Sequence, residues 1–78
     1  NPYKFRYLSN DLKTWTIIEN KLLDLESIKE LSIEYYDLDN LQGTIYFSGN
    51  LDKLSLIMKE NDILFTYLGK YSDISLIE

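Results

Sequence analysis

The sequence predicts an α+β domain, a two-layer βαββαβ ferredoxin-like sandwich with room for an additional C-terminal strand. Three observations lead there. Apolar and polar residues alternate through Lys29–Gly49 on both sides of a polar break, the period-two pattern of paired strands. Two other stretches repeat their apolar residues every three or four positions, as amphipathic helices do: Leu12, Trp15, Ile18, Leu22 and Leu25, then Leu51, Leu54, Ile57 and Met58. Finally, 78 residues, 45% of them hydrophobic, suit one domain with one modest core.

In chain order, Tyr3, Phe5 and Tyr7 alternate with Lys4, Arg6 and Leu8, so a first strand buries an aromatic row and turns Lys4 and Arg6 the other way. Ser9, Asn10 and Asp11 supply cap groups for a helix starting near Asp11. Trp15 is its core anchor, with the indole N–H directed to a polar partner or the core edge. Ile17 lies off the apolar stripe. The helix exits within Asp24–Lys29, and the second strand follows. There Leu31, Ile33 and Tyr35 form the inward set, with Ser32, Glu34 and Tyr36 outward.

Asp37–Asn40 is a hairpin connection. In the third strand Leu41, Gly43, Ile45 and Phe47 face inward, and Gln42, Thr44, Tyr46 and Ser48 outward. Gly43 marks a bulge or a place where a helix side chain approaches, with Trp15 a candidate. Asn50 caps the second helix, Asp52 sits in its first turn, and Leu56 falls off its apolar face. Ile63, Phe65 and Tyr67 mark a further strand. Gly69-Lys70 turns the chain into Tyr71–Ile77, where Ile74 and Leu76 support one more. The residues leave open which of 63–68 and 71–77 is the principal last strand, and a terminal hairpin accommodates both.

Composition excludes more chemistry than it selects. With no cysteine and no histidine, the fragment has no disulfide, no thiolate nucleophile and no histidine-based zinc site or acid–base switch. Thirteen acidic and eight basic residues give a net charge of -5, interspersed along the chain. This opposes non-specific association with phosphate backbones and anionic lipid. No apolar run approaches the roughly 20 residues that span a bilayer, so membrane insertion by this fragment is not expected.

Asp37, Asp39 and Asn40 carry oxygen ligands but lack the glycine and distant glutamate of a calcium loop, so a polar turn is expected. Ser48-Gly49-Asn50 lacks the lysine and spaced glycines of a phosphate loop. Glu30 and Glu34 share a strand face without a visible cleft. No catalytic, cofactor-binding or metal-ligating residue is therefore assigned. The opening Asn1-Pro2 suggests that residues 1–78 are a single domain taken from a larger protein.

Function then rests on surfaces. Tyr36 and Tyr46, in the outward phases of adjacent strands, combine large contact area with a hydroxyl and are the candidate protein contacts. Ile17 and Leu56 are candidates on the helix side. The expected function is non-catalytic protein interaction or assembly. Single-stranded nucleic-acid binding is the alternative, because RNA-recognition domains share this element order and stack bases on sheet aromatics. TIYFSGNL does not reproduce their glycine-aromatic and basic pattern, however, and Glu34 flanks the platform. A purely structural spacer is the remaining reading.

The segments DLKTWTIIENKLLDLESIKELSIEYY and GTIYFSGNLDKLSLIM resemble small α/β modules repeated in poorly characterised bacterial cell-envelope proteins. In those modules a tryptophan-bearing helix precedes a hairpin, and a glycine introduces a leucine-rich helix. The resemblance covers residues 11–77. It implies a bacterial periplasm or cell envelope, with the cytoplasm as the alternative. It also implies an accessory or assembly role, with a protein partner or neighbouring domains of the same chain. It carries no catalytic residue onto this sequence.

Overall fold

The computed structural model describes residues 1–77. Its elements are β1 (Pro2–Tyr7), α1 (Leu12–Leu23), β2 (Ile28–Asp37), β3 (Asn40–Phe47), α2 (Leu51–Glu60), β4 (Ile63–Tyr67) and β5 (Ser72–Leu76). The strands form one mixed sheet in the order β2-β3-β1-β5-β4. β1 runs antiparallel to β3 and parallel to β5; the β2–β3 and β4–β5 pairs are antiparallel. This is a small α+β fold with a strand order different from the expected ferredoxin-like one.

The difference arises at the C-terminus. A ferredoxin-like sheet would set a single last strand beside β1. Here the turn at Leu68–Tyr71, closed by Leu68 N–H donating to Tyr71 O at 2.8 Å, folds a second apolar strand back on β4. β5 then lies between β1 and β4, where Ile74 is buried on the helix-covered face. Both candidate last strands exist, and the later one joins β1.

Local chemistry starts each helix. Asp11 Oδ1 accepts from the N–H groups of Lys13 and Thr14, and Thr14 Oγ1 donates to Asp11 Oδ2 at 2.7 Å. These bonds, that of the Thr14 hydroxyl foremost, hold the Asp11 carboxyl below its ordinary range. Asn50 Oδ1 accepts from Lys53 N–H at 2.8 Å and caps α2. Both helices turn their apolar stripes onto the sheet face that carries Phe5, Ile45, Phe47, Ile63, Phe65 and Ile74, forming one core. Trp15 is buried there, stacked on Phe5 at 5.6 Å between ring centroids and tilted against Tyr7 at 5.5 Å. No helix among the described residues is long and apolar enough to cross a membrane.

Gly43 lies opposite Phe5 in the β1–β3 register. A Cβ there would run into the Ser32 carbonyl oxygen and the Phe5 ring. The open space above the glycine is thus filled by Phe5 from the adjacent strand, not directly by Trp15, which stacks on the Phe5 ring.

β2 departs most from expectation. It is an edge strand of the sheet. Its register with β3 shifts twice, between Ile28 and Glu30 and between Ile33 and Tyr35. Ile33 is opposite Gly43, yet Tyr35 is opposite Gln42 and Tyr36 opposite Leu41. The extra residue Glu34 exchanges the faces of everything after it. Tyr35 therefore shares the open face with Gln42, while Tyr36 is on the helix side with Leu41. Ile33, expected in the core with Ile45, is 43% exposed, whereas Ile45 is fully buried. The edge position explains this, because only the start of β2, at Ile28 and Leu31, packs against the core.

One residue after α2 carries strain. Asp62 has φ 61°, the left-handed conformation that disfavours side chains, while its N–H donates to Lys59 O to close the helix end. Asp62→Gly should stabilise the domain by about 0.5–1 kcal/mol in urea unfolding. A loss of stability would show that the Asp62 side chain outweighs its backbone strain.

Candidate open-face cradle

The sheet face away from the helices holds a hollow. A cavity of about 360 Å³ lies on it, with Lys4, Arg6, Gln42 and the β1–β3 backbone at Phe5 and Gly43 as its floor. One wall is the β2 bulge, Glu34 and Tyr35; the other is the β4–β5 turn, Lys70 and Tyr71. A second hollow of about 330 Å³ shares Lys4, Lys70 and Tyr71 and continues to Pro2, Tyr3 and Leu51. The continuation follows from topology. β1 and β5 pair only at Phe5–Ser72 and Arg6–Asp73, so the start of β1 and the turn before β5 leave a slot between them.

The polar groups here fall into held and available sets. Arg6 donates through Nε to Asp73 Oδ1 at 2.9 Å and through a terminal nitrogen to Oδ2 at 3.3 Å. Its guanidinium also lies 4.4 Å from the Tyr71 ring centroid. This fork on a carboxylate and stacking on a ring fix Arg6 and Tyr71 against each other. The Asp73 hydrogen bond raises the Arg6 pKa above its ordinary value. Glu34 Oε1 accepts from Thr44 Oγ1 at 2.6 Å, which anchors the bulge to β3.

Tyr35 OH donates to Asp37 Oδ2 at 2.7 Å, and Asp37 Oδ1 accepts from Asp39 N–H at 3.0 Å. Their mutual hydrogen bond pushes the Tyr35 hydroxyl up and draws the Asp37 carboxyl down. Asp37 thus both closes the hairpin turn and orients the tyrosine, which leaves the phenolic oxygen free to accept. Lys4 and Lys70 make no side-chain hydrogen bond or ion pair among the described residues. Three of the eight basic residues of a chain with net charge -5 line this one cavity. Its chemistry is that of two tethered aromatic rings and two available ammonium groups around a shallow hollow.

The sequence-based contact residues are dispersed. Tyr46 is on the open face, opposite Pro2 and Glu30, but does not line the cavity. Tyr36 is exposed on the other side of the sheet. Ile17 and Leu56 are exposed on α1 and α2, off the stripes that these helices bury. Lys4 and Arg6 were legible from the alternation of β1. Alternation along β2 predicts Tyr35 on the helix-covered face, and the Glu34 bulge reverses that phase and turns it to the open face. Lys70 and Tyr71 belong to a turn, where periodicity carries no information.

Comparison of the chain with protein-family models, curated proteins and solved structures finds no match.

Proposed function

We propose that this domain is a non-catalytic protein-interaction module that receives an extended segment of a partner protein in the open-face cradle. The observation that carries this reading is the convergence of Tyr35, Tyr71, Lys4 and Lys70 around one hollow. Tethered tyrosines offer contact area at little entropic cost, and unpaired ammonium groups select backbone or side-chain oxygens. Within this reading, an assembly role in the periplasm or cell envelope is what the likeness of residues 11–77 to bacterial envelope modules implies.

The same cations and rings raise the alternative of single-stranded nucleic acid, which also uses basic grooves with aromatic platforms. Charge argues for protein. Glu34 lines the cavity, Asp73 and Asp37 flank it, and Arg6 already covers one face of Tyr71.

Peptides selected on the intact domain from a random displayed library test the reading. With the Lys4→Ala/Tyr71→Ala variant as counter-selector, selected peptides should bind the parent at least about tenfold tighter. They should shift the amide resonances of Tyr35, Gln42 and Lys70. Peptides that bind both proteins equally, or shift only residues around Ile17 and Leu56, would reject the cradle. Saturable, salt-sensitive binding of short oligonucleotides with no peptide enrichment would favour the alternative.

A further inference from the structure

The sheet's two edges are treated differently. β2 is interrupted by two register shifts and carries Lys29, Glu30, Glu34 and Asp37, devices that discourage a further strand from pairing with it. β4 has none of these. Residues 63–68, Ile-Leu-Phe-Thr-Tyr-Leu, contain no charge, proline or glycine, and Leu64, Tyr67 and Leu68 are each at least half exposed.

The hydrogen bonds of the hairpin show which groups face outward. Leu68 N–H donates to Tyr71 O and Ile77 N–H donates to Asp62 O. In the register of that pair, Leu64 and Thr66 turn their backbone groups toward β5. Phe65 and Tyr67 therefore turn theirs to the open edge. Ile63 points outward as well but is fully buried, and Phe65 is 7% exposed.

We propose that β4 is the docking edge for a second copy of this chain, paired antiparallel about a two-fold axis at Thr66. This register is self-complementary in three respects. It sets the outward backbone groups of Phe65 opposite those of Tyr67 in the second copy, and the reverse, without using buried Ile63. It places each exposed Leu64 opposite the other copy's exposed Leu68. It also brings Asp62, before the uncharged segment, toward Lys70, after it, so the bracketing charges meet with opposite sign. The two sheets become one continuous sheet with helices on one side, and the closed two-fold axis stops growth at two chains. An edge this short belongs to the small interfaces, below about 1,200 Å² in total, so association is concentration-dependent.

Sedimentation equilibrium of the intact chain over a concentration series tests this, with circular dichroism confirming that each variant keeps the fold. The parent should pass from the mass of one chain to that of two. Leu64→Lys should weaken association by about tenfold or more. Leu64→Lys/Leu68→Glu should recover it, because each new lysine then faces a new glutamate. A parent that stays at one chain throughout, or that grows beyond two, overturns the proposal. So does a Leu64→Lys variant that associates as well as the parent. If the double variant fails to recover, the register is overturned, and with it the self-complementarity that selects a second copy.

Discussion

Trp15→Ala is expected to lower the unfolding free energy by about 3–5 kcal/mol, the range for deleting a buried aromatic side chain. The indole is 5% exposed and rests on Phe5 and Tyr7, so its removal strips one layer from the joint between α1 and β1. Whole-domain stability at about 0.05–0.15 kcal/mol per residue leaves a chain of 78 residues little reserve after such a loss. Because Trp15 is the sole tryptophan, urea unfolding must be followed by far-ultraviolet circular dichroism rather than by indole fluorescence. Trp15→Phe, which keeps a ring over Phe5, should recover at least half of the loss. A cost below about 1 kcal/mol for the alanine variant would mean that the indole is not packed as described.

Gly43→Ala should be nearly as damaging, about 3 kcal/mol, although it adds a single methyl group. The added Cβ meets two obstacles of unequal compliance. The Phe5 ring belongs to a side chain and can shift with repacking; the Ser32 carbonyl belongs to β2 and moves only if the β2–β3 pairing opens. Adding Phe5→Leu to Gly43→Ala should therefore rescue only part of the stability. Amide exchange in the β2–β3 pair near Ser32 should also accelerate in the single variant. Full rescue by Phe5→Leu would show that the backbone contact is unimportant.

The elements themselves were legible because each is carried by periodicity over several residues. The Trp15–Ile18–Leu22 and Leu54–Met58 stripes, the Asp11 and Asn50 caps, and the β3 alternation of Leu41, Ile45 and Phe47 all appear as expected. What escaped depends on single residues or on pairing between distant segments. Glu34 is one residue inserted in a ladder. Nothing in IEYYD distinguishes a bulged strand from a regular one, yet the insertion decides which tyrosine faces the cradle. Strand order was equally hidden, since 63–68 and 71–77 both read as strands and neither carries a signal of which one pairs with β1. Their arrangement follows from the tight turn between them and from the burial that β5 gains beside β1. The sequence places Tyr71 at the start of a strand segment and gives it no role, though its ring takes the Arg6 guanidinium once β5 lies alongside β1.

The cradle depends on the Glu34 bulge turning Tyr35, rather than Tyr36, onto the open face. Side chains directly opposite across an antiparallel pair have Cβ atoms about 5 Å apart, well within range of proton–proton Overhauser effects. Such a spectrum of the intact chain should connect the Tyr35 side chain with Gln42 and the Tyr36 side chain with Leu41. Cross-peaks joining Tyr36 to Gln42 and Tyr35 to Leu41 would restore a regular ladder and contradict the site.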